Sequence, residues 1–584
     1  MRHGVKWAVG LLGALALLIG GATHWPLRSA KVAAEINRAI SPRVGLQWRG
    51  PARATLALLP WPTLRFVGVE LAGADDRSVL SAPVASFPLS LAGLLRGRFI
   101  PVGATLRSPT AFIDLDAAPV AAERRVLSQA EDGAPLALWS HVRLHGGVLH
   151  IVSAARRLDT LIENLDGSFD WPGAEKPMSF SLAGAWRDEN VAIKGTIDNP
   201  REGLEKRPTG VDLAIDSRPL SLALDGTWGG DAATGFSGEL SAQIRSLGAL
   251  ERLLGAPPAP LIVGDALSLR GKAQTRGASL ALSEARFELA GQPFEGALTL
   301  SREGERTSIS GTLAADELKI EPLLGEPSTF TNAQGGWSSQ PFGFAPAPGL
   351  DLDLRISAAH VDWRGHRIDD AAGSLICNDG RLTATMLQAN AYQGVLKGQL
   401  TLARGADGLE AHGAGSLVDA DIGAALADFG RNGYKGRGGF EFSLRSTGFA
   451  PADSVASLSG TVSLDLQPGV VDGVNVEEAL RRSLRRPTDV ARDMAVGQTT
   501  FSRARVQLAI DKGVARITGA RIEGPGALIT VDGAIDMAAR QFDARLVATQ
   551  ADAQGAPSAN AARLTIVLYG PWSAPTIAAL PSGG

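Results

Sequence analysis

The sequence lacks the features that mark most enzymes and nucleic-acid-binding proteins. Among its 584 residues there is a single cysteine, Cys377, which excludes an internal disulfide framework and a zinc site made of several thiolates. The 57 basic and 60 acidic residues are mixed along the chain, so no broad basic surface is available for nucleic acid. The chain has no nucleophile elbow, metalloprotease helix, P-loop or dinucleotide-binding glycine motif. We therefore expect a protein that is not an enzyme, with no catalytic residue, cofactor, metal or nucleic-acid partner.

Clusters of titratable residues do not alter this expectation. The clusters are His141, His145 and His150; Asp114 with Asp116; Asp351 with Asp353; and His360 with His366. On an extended strand, His141 and His145 share a face but lie about 13 Å apart, which is too far for two ligands of one metal. The paired aspartates alternate with apolar residues, a pattern typical of a strand with one solvated face.

Aromatic residues are also scarce, at 5% of the chain, whereas glycine and proline number 69 and 33. This composition favours many short strands and turns over a helical bundle. Residues 7–23 form a long apolar segment without charged side chains. Its length is about what a helix needs to cross a bilayer. We predict a transmembrane helix within residues 1–26, with the N-terminus in the cytoplasm and the body outside it. A cleaved signal peptide ending at the small residues 20–22 is the alternative.

One local phrase recurs ten times: an apolar residue, any residue, glycine, any residue, an apolar residue. The copies are centred on Gly167, Gly184, Gly195, Gly226, Gly238, Gly296, Gly311, Gly398, Gly460 and Gly533. Because strand side chains alternate between faces, each glycine lies between two apolar residues on one face. A glycine there usually marks a bend, a bulge or a close backbone approach. The phrase thus predicts a device that curves a long sheet toward its apolar side, with ordinary hairpin flanks as the alternative.

Alternating apolar residues predict that strands with one apolar and one polar face make up most of the chain. The clearest strands lie at 211–215, 220–224, 440–444, 462–466 and 564–568. Helical spacing predicts short helices at 27–40, 244–254, 422–429 and 476–486. The last has acidic residues first and Arg481, Arg482, Arg485 and Arg486 toward its end, an order that suits the helix dipole better than a lipid-headgroup site.

So few helices cannot cover the apolar faces of so many strands. Two arrangements would solve this problem. Either sheets pack on one another as closed sandwiches, or a sheet curls around an apolar interior that is available to a ligand.

Short motifs, in their order along the chain, resemble the AsmA family of bacterial envelope proteins. Near the N-terminus they are residues 58–62 (LLPWP), 90–98 (SLAGLLRGR) and 107–113 (RSPTAFI). In the middle they are 378–382 (NDGRL) and 391–394 (AYQG), where Gln393 replaces an expected second glycine. Toward the end they are 457–460 (SLSG), 471–474 (VDGV) and 569–575 (YGPWSAP). Residues 125–338 are recognised only as compatible β sequence.

The resemblance implies a mostly β protein in which the transmembrane helix is followed by an elongated, curved, largely antiparallel β-sheet groove with a few short helices. Such a protein is anchored in the inner membrane, has its main body in the periplasm, and holds or moves phospholipid or another acyl-chain ligand in support of outer-membrane lipid homeostasis and biogenesis. The residues that we expect to line the groove are Leu222, Leu224, Phe442, Leu464 and Leu466.

The alternative function is a non-enzymatic periplasmic scaffold or regulator of outer-membrane protein assembly and targeting, with outer-membrane or envelope proteins as partners. Its apolar strands would be buried in closed sandwiches. In either case we divide the chain into a cytoplasmic stub and transmembrane helix at 1–26, an AsmA-like N-terminal region at 27–125, a middle β-groove section at 126–340 and an AsmA-like C-terminal β domain at 341–584.

Overall fold

The chain divides into two compact units, one of residues 1–258 and 265–285 and the other of residues 259–264 and 286–584. The computed structural model describes residues 25–27, 46–49, 53–73, 79–97, 100–114, 116, 140–154, 158–173, 175–205, 207–229, 234–255, 266–304, 306–324, 330–342, 349–483, 497–552, 557 and 561–580. The transmembrane helix predicted at 7–23 lies outside these residues, as does most of the helix predicted at 27–40. Within the described segments, no helix has the length and apolar character needed to span a membrane.

Strands dominate both units, as the alternating apolar pattern predicts. In the first unit they are β1 (Trp25–Leu27), β2 (Leu46–Arg49), β3 (Arg53–Ala57), β4 (Thr63–Gly73), β5 (Val79–Pro88), β6 (Ala104–Arg107), β7 (Thr110–Asp114), β8 (Val142–Ser153), β9 (Leu158–Asp170), β10 (Met178–Trp186), β11 (Glu189–Ile197), β12 (Thr209–Asp216), β13 (Leu220–Trp228), β14 (Thr234–Ile244) and β15 (Leu267–Arg276). Strand β16 (Ser279–Leu289) contains the division between the units. Leu27, the first residue of the helix predicted at 27–40, instead ends β1 and is paired with Ala54 of β3.

In the second unit the strands are β17 (Gln292–Glu303), β18 (Arg306–Lys319), β19 (Leu350–Trp363), β20 (His366–Asn378), β21 (Arg381–Ala391), β22 (Gly394–Gly405), β23 (Gly408–Asp421), β24 (Tyr434–Gly448), β25 (Ser459–Asp472), β26 (Gln498–Phe501), β27 (Arg503–Asp511), β28 (Val514–Glu523), β29 (Ala527–Asp536), β30 (Gln541–Gln550), β31 (Arg563–Pro571) and β32 (Thr576–Leu580). The five strands predicted most clearly from the sequence correspond to parts of β12, β13, β24, β25 and β31 and are confirmed.

Most strands pair antiparallel with their neighbours along the chain. In the first unit, β8 to β15 follow one another in this way, whereas β6 and β7 both pair parallel with β8. In the second unit, β19 to β25 and β27 to β32 are antiparallel series, and β18 pairs parallel with β19. A parallel pair needs a long crossover, and residues 320–349 supply it here.

The helices are short. They are α1 (Leu91–Leu95), α2 (Pro200–Leu204), α3 (Leu247–Leu254), α4 (Glu321–Leu324), α5 (Ile422–Asp428), α6 (Pro451–Ala456) and α7 (Val476–Ser483). Helices α3, α5 and α7 confirm the helices predicted at 244–254, 422–429 and 476–486, and α1 lies within the AsmA-like motif at 90–98. In α3, Ser246 Oγ accepts a hydrogen bond from Ala249 N, and Gly255 ends the helix in the left-handed conformation at φ +67°. Arg485 and Arg486 lie outside the described residues.

Each unit has a densely packed apolar core. In the first unit the core lies among β3 to β8, where Phe66 has 0% of its surface exposed and meets Phe87 edge to face at 5.8 Å. In the second unit, Ala479 and Leu480 of α7 pack on β29 to β31, where Ile529 and Ile566 are buried. These cores are closed, and the candidate groove residues belong to neither of them.

Candidate functional site

In the first unit, the candidates Leu222 and Leu224 lie on β13 in an apolar sheet face. Leu222 is paired with Ile215 and Leu224 with Leu213, both on β12, and Leu224 is also paired with Leu240 on β14. Directly paired residues of antiparallel strands point to the same face, so these side chains form continuous rows. One row comprises Phe169, Phe180, Gly195, Leu213, Leu224, Leu240 and Gly271.

This face is not covered as a core would be. Among the described residues of 159–228, no alanine, valine, leucine, isoleucine or aromatic side chain is fully buried. Leu222 and Leu224 are partly buried, while the alternate residues Ala223 and Asp225 are exposed on the opposite face. A sandwich would bury the apolar rows completely. The apolar face of β9 to β13 is therefore accessible.

The recurring glycines of the first unit lie where side chains or backbone atoms of neighbouring strands come close. A β-carbon built on Gly195 would lie 2.6 Å from Phe180 Cζ, and one built on Gly167 would lie 2.6 Å from Leu182 Cδ2. Gly226 and Gly238 are paired directly, and a β-carbon on Gly226 would lie 2.6 Å from the Cα of Gly238. The glycines therefore provide close backbone approach and room for neighbouring side chains. Curvature of the sheet toward this face stays a prediction.

Short helices flank this face in the first unit. At one end of β13, the ring of Trp228 lies against Gly203 of α2, since a β-carbon built there would be 2.7 Å from the ring. At the other end of the strands, the Arg187 guanidinium donates hydrogen bonds at 3.3 Å to the carbonyls of Arg252 and Leu253, the last turn of α3. A cation at a helix C-terminus satisfies carbonyls that lack helical partners and complements the helix dipole.

In the second unit, the candidates Phe442, Leu464 and Leu466 lie together on two neighbouring strands. Phe442 of β24 is paired with Val462 of β25, and Leu464 of β25 is paired with Phe440. The rings of Phe440 and Phe442 stack with centroids 6.2 Å apart. The three candidates are partly buried and share one face. Leu222 and Leu224 belong to the other unit, so each unit has a candidate site of its own.

Helices cover two parts of the face that carries Phe442 and Leu464. Ile422 of α5 packs with Leu417, and Leu466 packs at the edge of that cluster. Helix α7 lies farther along the same face. A row of directly paired residues runs on this face from Leu466 to Ile529, and Ile529 lies beneath the helix. This part of the row comprises Leu466, Ala504, Ile522, Ile529 and Ala548.

The remaining part of this face is accessible. Leu400 of β22 lies on it, paired with Gly413 of β23, which is in turn paired with Leu444 of β24. Its side chain is 45% exposed. The ring of Phe442 lies over Gly415, where a built β-carbon would be 2.8 Å from the ring. Phe442 and Leu464 therefore belong to an accessible apolar surface between α5 and α7.

The opposite face carries ion pairs. Asp465, between Leu464 and Leu466, accepts hydrogen bonds from Arg503 at 2.8 Å and from Arg505 at 3.2 Å. The Arg503 guanidinium, helped by Arg505, holds the pKa of the Asp465 carboxyl below its usual value. These charges are exposed, so this face is directed toward water.

The titratable clusters found in the sequence pair with charges on neighbouring strands or turns. His141, His145 and His150 each lie beside a different aspartate of β9, with 2.7 Å between His150 Nε2 and Asp159 Oδ1. Asp351 accepts two hydrogen bonds from Arg306. Among the described residues, no group of three or more histidine, cysteine or acidic side chains is arranged to hold a metal ion.

Asp116, His360 and His366 from these clusters also have partners. Asp116 accepts a hydrogen bond at 2.7 Å from Ser153, which is buried. His360 binds Asp369, while His366 stacks on Phe429 with ring centroids 4.4 Å apart. These contacts account for the clusters as parts of the folded surface.

One feature of the second unit was not predicted from the sequence. Residues 330–342 run beside the turns that end several strands, where Trp337 Nε1 donates a hydrogen bond at 2.7 Å to the carbonyl of Met537. Arg540 lies between the rings of Trp337 and Trp572, 5.4 Å from each centroid. The partners are some 200 residues apart in the chain, so no local pattern indicates them.

With this geometry in place, comparison with known proteins identifies part of the chain. Residues 329–519 match the model of the AsmA family. This part of the chain belongs to the AsmA family. The predicted resemblance is thereby confirmed for the motifs at 378–382, 391–394, 457–460 and 471–474, whereas those at 58–113 and 569–575 lie outside the match. None of the curated proteins and none of the solved structures compared with the chain matches it.

The AsmA match includes the accessible part of the second unit. Phe442, Leu464 and Leu466 all lie within the matched residues. The match also contains Gln393, the departure from the expected motif. Gln393 has φ +61° and follows Tyr392 at φ +51°, so both central residues of this hairpin turn are left-handed. Such a turn favours glycine or asparagine, which explains why a glycine was expected at this position.

Proposed function

We propose that the protein holds or moves phospholipid, or another acyl-chain ligand, along the apolar faces of its strands. The observation that supports this most is that no alanine, valine, leucine, isoleucine or aromatic side chain is fully buried among the described residues of 159–228, although a whole face there is apolar. Exposed apolar area of this extent is unfavourable in water unless something covers it. Acyl chains suit such a face because each buried methylene contributes about 0.8 kcal/mol without needing a specific partner.

In this proposal the protein is not an enzyme, and it is anchored in the inner membrane with its body in the periplasm. Membership of the AsmA family and the one-sided strands are consistent with an envelope role of this kind. Many weak contacts of similar strength would let a chain slide along the face rather than stay in one pocket. Its cellular role would be to support outer-membrane lipid homeostasis and biogenesis.

Site-specific photo-crosslinking tests the proposal. A photoreactive amino acid at Leu224 or Leu464 should capture lipid in membranes, because both side chains lie on accessible apolar faces. The matched controls are Ala223 and Asp465, each adjacent in sequence but exposed on the opposite face. Equal lipid capture at the apolar and control positions, or none at either, would refute the proposal.

The scaffold function makes a different prediction for the same experiment. The closed cores of both units show that parts of the sheet are covered by protein. If a protein partner covers the accessible faces as well, the reagent at Leu224 and Leu464 should capture a polypeptide and no lipid.

A further inference from the structure

Three segments of the first unit meet at one end of β4 and β5. They are the loop 58–62, helix α1, and residues 100–102. Leu89 N donates a hydrogen bond at 2.7 Å to the carbonyl of Pro62, which holds the loop beside the start of α1. Val102 N donates at 2.8 Å to the carbonyl of Pro88, which brings the third segment alongside.

This end is apolar and exposed. Within α1, Leu94 packs on the core of the unit, whereas Leu91 and Leu95, one helical turn apart, face outward. Leu95 is 83% exposed, and Trp61 in the neighbouring loop is 67% exposed. We call the set of exposed apolar residues here the docking end. It consists of Leu58, Leu59, Trp61, Leu91, Leu95 and Val102. So many large apolar side chains on adjoining segments mark an interaction surface rather than ordinary surface variation.

The stretches of chain that form the docking end carry charge of one sign. Residues 41–69 and 77–113 contain no aspartate or glutamate, although the chain as a whole carries a formal charge of −3. Arg53, Arg65 and Arg96 are among the basic residues of these stretches. A surface that combines leucine and tryptophan with arginine matches the interface of an anionic bilayer, where aromatic rings and basic side chains are both favoured.

The position of the docking end in the chain points to the same partner. Residues 7–23 carry no charged side chain, and Trp25 of β1 is paired with Leu56 of β3, two residues before Leu58. The two steps along the chain from residue 23 to residue 25 can span only about 7 Å. An apolar segment that ends in a bilayer at residue 23 would therefore hold this end of the unit at the headgroup layer.

We propose that the docking end binds the surface of the phospholipid bilayer in which the chain is anchored. Trp61 and Leu95 insert among the headgroups and upper acyl chains, while arginines pair with lipid phosphates. The inference rests on the proposed membrane anchoring and adds a second, peripheral contact with the same bilayer. This contact would hold the first strands of the unit against the bilayer, whose phospholipids supply the acyl chains.

The test uses the full chain in vesicles of phosphatidylethanolamine and phosphatidylglycerol. In a Cys377→Ala background, an environment-sensitive fluorophore is attached to Leu95→Cys. The matched control is Leu161→Cys, because Leu161 of β9 is an exposed leucine of the same unit, away from the docking end. We expect a blue-shifted emission at position 95 that is quenched by lipids with a nitroxide in the upper acyl chain, and neither effect at position 161. Water-like emission at both positions would overturn the proposal.

Introducing a negative charge tests the mechanism. Trp61→Glu on the labelled Leu95→Cys protein should reduce the quenching while leaving the thermal melt unchanged, since the Trp61 ring is mostly exposed. Replacing phosphatidylglycerol with phosphatidylcholine should reduce quenching of the parent protein as well, because the arginines lose their anionic partners. Unchanged quenching in both experiments would mean that the fluorophore, rather than the docking end, binds lipid, and would overturn the proposal.

Failure of docking and failure of lipid carriage give different results. If position 95 is not quenched but a crosslinker at Leu224 captures lipid, docking is wrong and the proposed function stands. If position 95 is quenched but Leu224 and Leu464 capture no lipid, docking is supported and lipid carriage fails.

Discussion

Two regions of the first unit use the same kind of strand and differ in what covers it. Strands β3 to β8 enclose a core in which Phe66 and Leu64 are fully buried, with α1 packed against them through Leu94. Strands β9 to β13 carry apolar rows of similar composition, yet Leu222 and Leu224 remain partly buried. Alternation alone therefore does not make a core; a second layer must also be present.

The difference matters because the two regions should respond to substitution in opposite ways. In the closed core, side chains contribute to folding through burial and packing. On the accessible face, much of the apolar area stays in water. Its side chains therefore contribute less to the stability of the fold and remain available to bind a ligand. The predictions below test this contrast in order of decreasing effect on stability.

The largest effect is expected for truncation in the closed core. Phe66→Ala should destabilise the first unit by about 3–5 kcal/mol, because it removes a fully buried ring and leaves a cavity. Leu224→Ala on the accessible face should cost only about 1 kcal/mol, since the side chain is already partly in contact with water. Denaturant unfolding followed by circular dichroism would measure both. Equal losses would mean that β9 to β13 are covered as tightly as the core.

A smaller effect is expected where two strands approach most closely. Gly226→Ala would place a β-carbon 2.4 Å from the carbonyl oxygen of Ser237 and 2.6 Å from the Cα of Gly238. Both neighbours are backbone atoms, so the strands must shift, at a cost of about 1–3 kcal/mol.

The matched control for this substitution is Gly248→Ala in α3. A β-carbon there meets nothing within 4 Å, and alanine favours a helix over glycine by about 0.5–1 kcal/mol. Thermal melts should show destabilisation for the first variant and none for the second. A neutral Gly226→Ala would show that the glycine phrase has no close-packing role.

A charge on the accessible face of the second unit should separate folding from function. Leu464→Asp is expected to cost no more than about 2 kcal/mol, because the carboxylate can reach water beside a partly buried position. The variant should stay folded and reach the membrane but hold less co-purifying lipid and complement poorly. Mass spectrometry of bound lipid, measured beside abundance and melting temperature, would check this. A loss of function only in proportion to lost folded protein would favour the scaffold.

The smallest effect concerns the polar face and depends on pH. The Asp465 carboxyl has a folded pKa below its ordinary value of 3.8, chiefly because of Arg503. Its contribution to stability is therefore present above about pH 3.8 and is lost as the pH falls through the lower folded pKa. Because the pair is exposed, Asp465→Asn should cost less than about 1 kcal/mol at pH 7.

Unfolding at pH 7 and at pH 3 would measure the Asp465 effect. The difference between wild type and variant should shrink at the lower pH. Ser443→Ala, a neutral change at an exposed position of the same face, is the control and should show no such dependence. A difference that grows toward pH 3 would contradict the assigned sign.

Several features could be predicted from the sequence because their causes are local. Alternation with period two assigned Leu222, Leu224 and Phe442 to apolar faces, since neighbouring side chains on any strand point in opposite directions. Helices α3, α5 and α7 followed from the helical spacing of their apolar residues. The AsmA-like motifs at 391–394 and 471–474 could be recognised because they are contiguous.

Other local features were missed because their signals are weak. Helices α2 and α6 contain five and six residues, too few for an apolar period to be visible. The glycine phrase was found, but its meaning was incomplete. The phrase indicates that a close approach occurs at Gly195. It does not reveal that the ring of Phe180, on the neighbouring strand, makes that approach.

The sequence by itself determined that the protein is built of strands with one apolar and one polar face. Only the tertiary structure decided which apolar faces are covered. Helix α7 covers Ile529, whereas none of the described residues buries Phe442 or Leu464 in a comparable way. Nothing in the alternation of these strands distinguishes the two cases. The physical reason is that the direction of a side chain depends on its own backbone, while its burial depends on residues that reach it from distant parts of the chain.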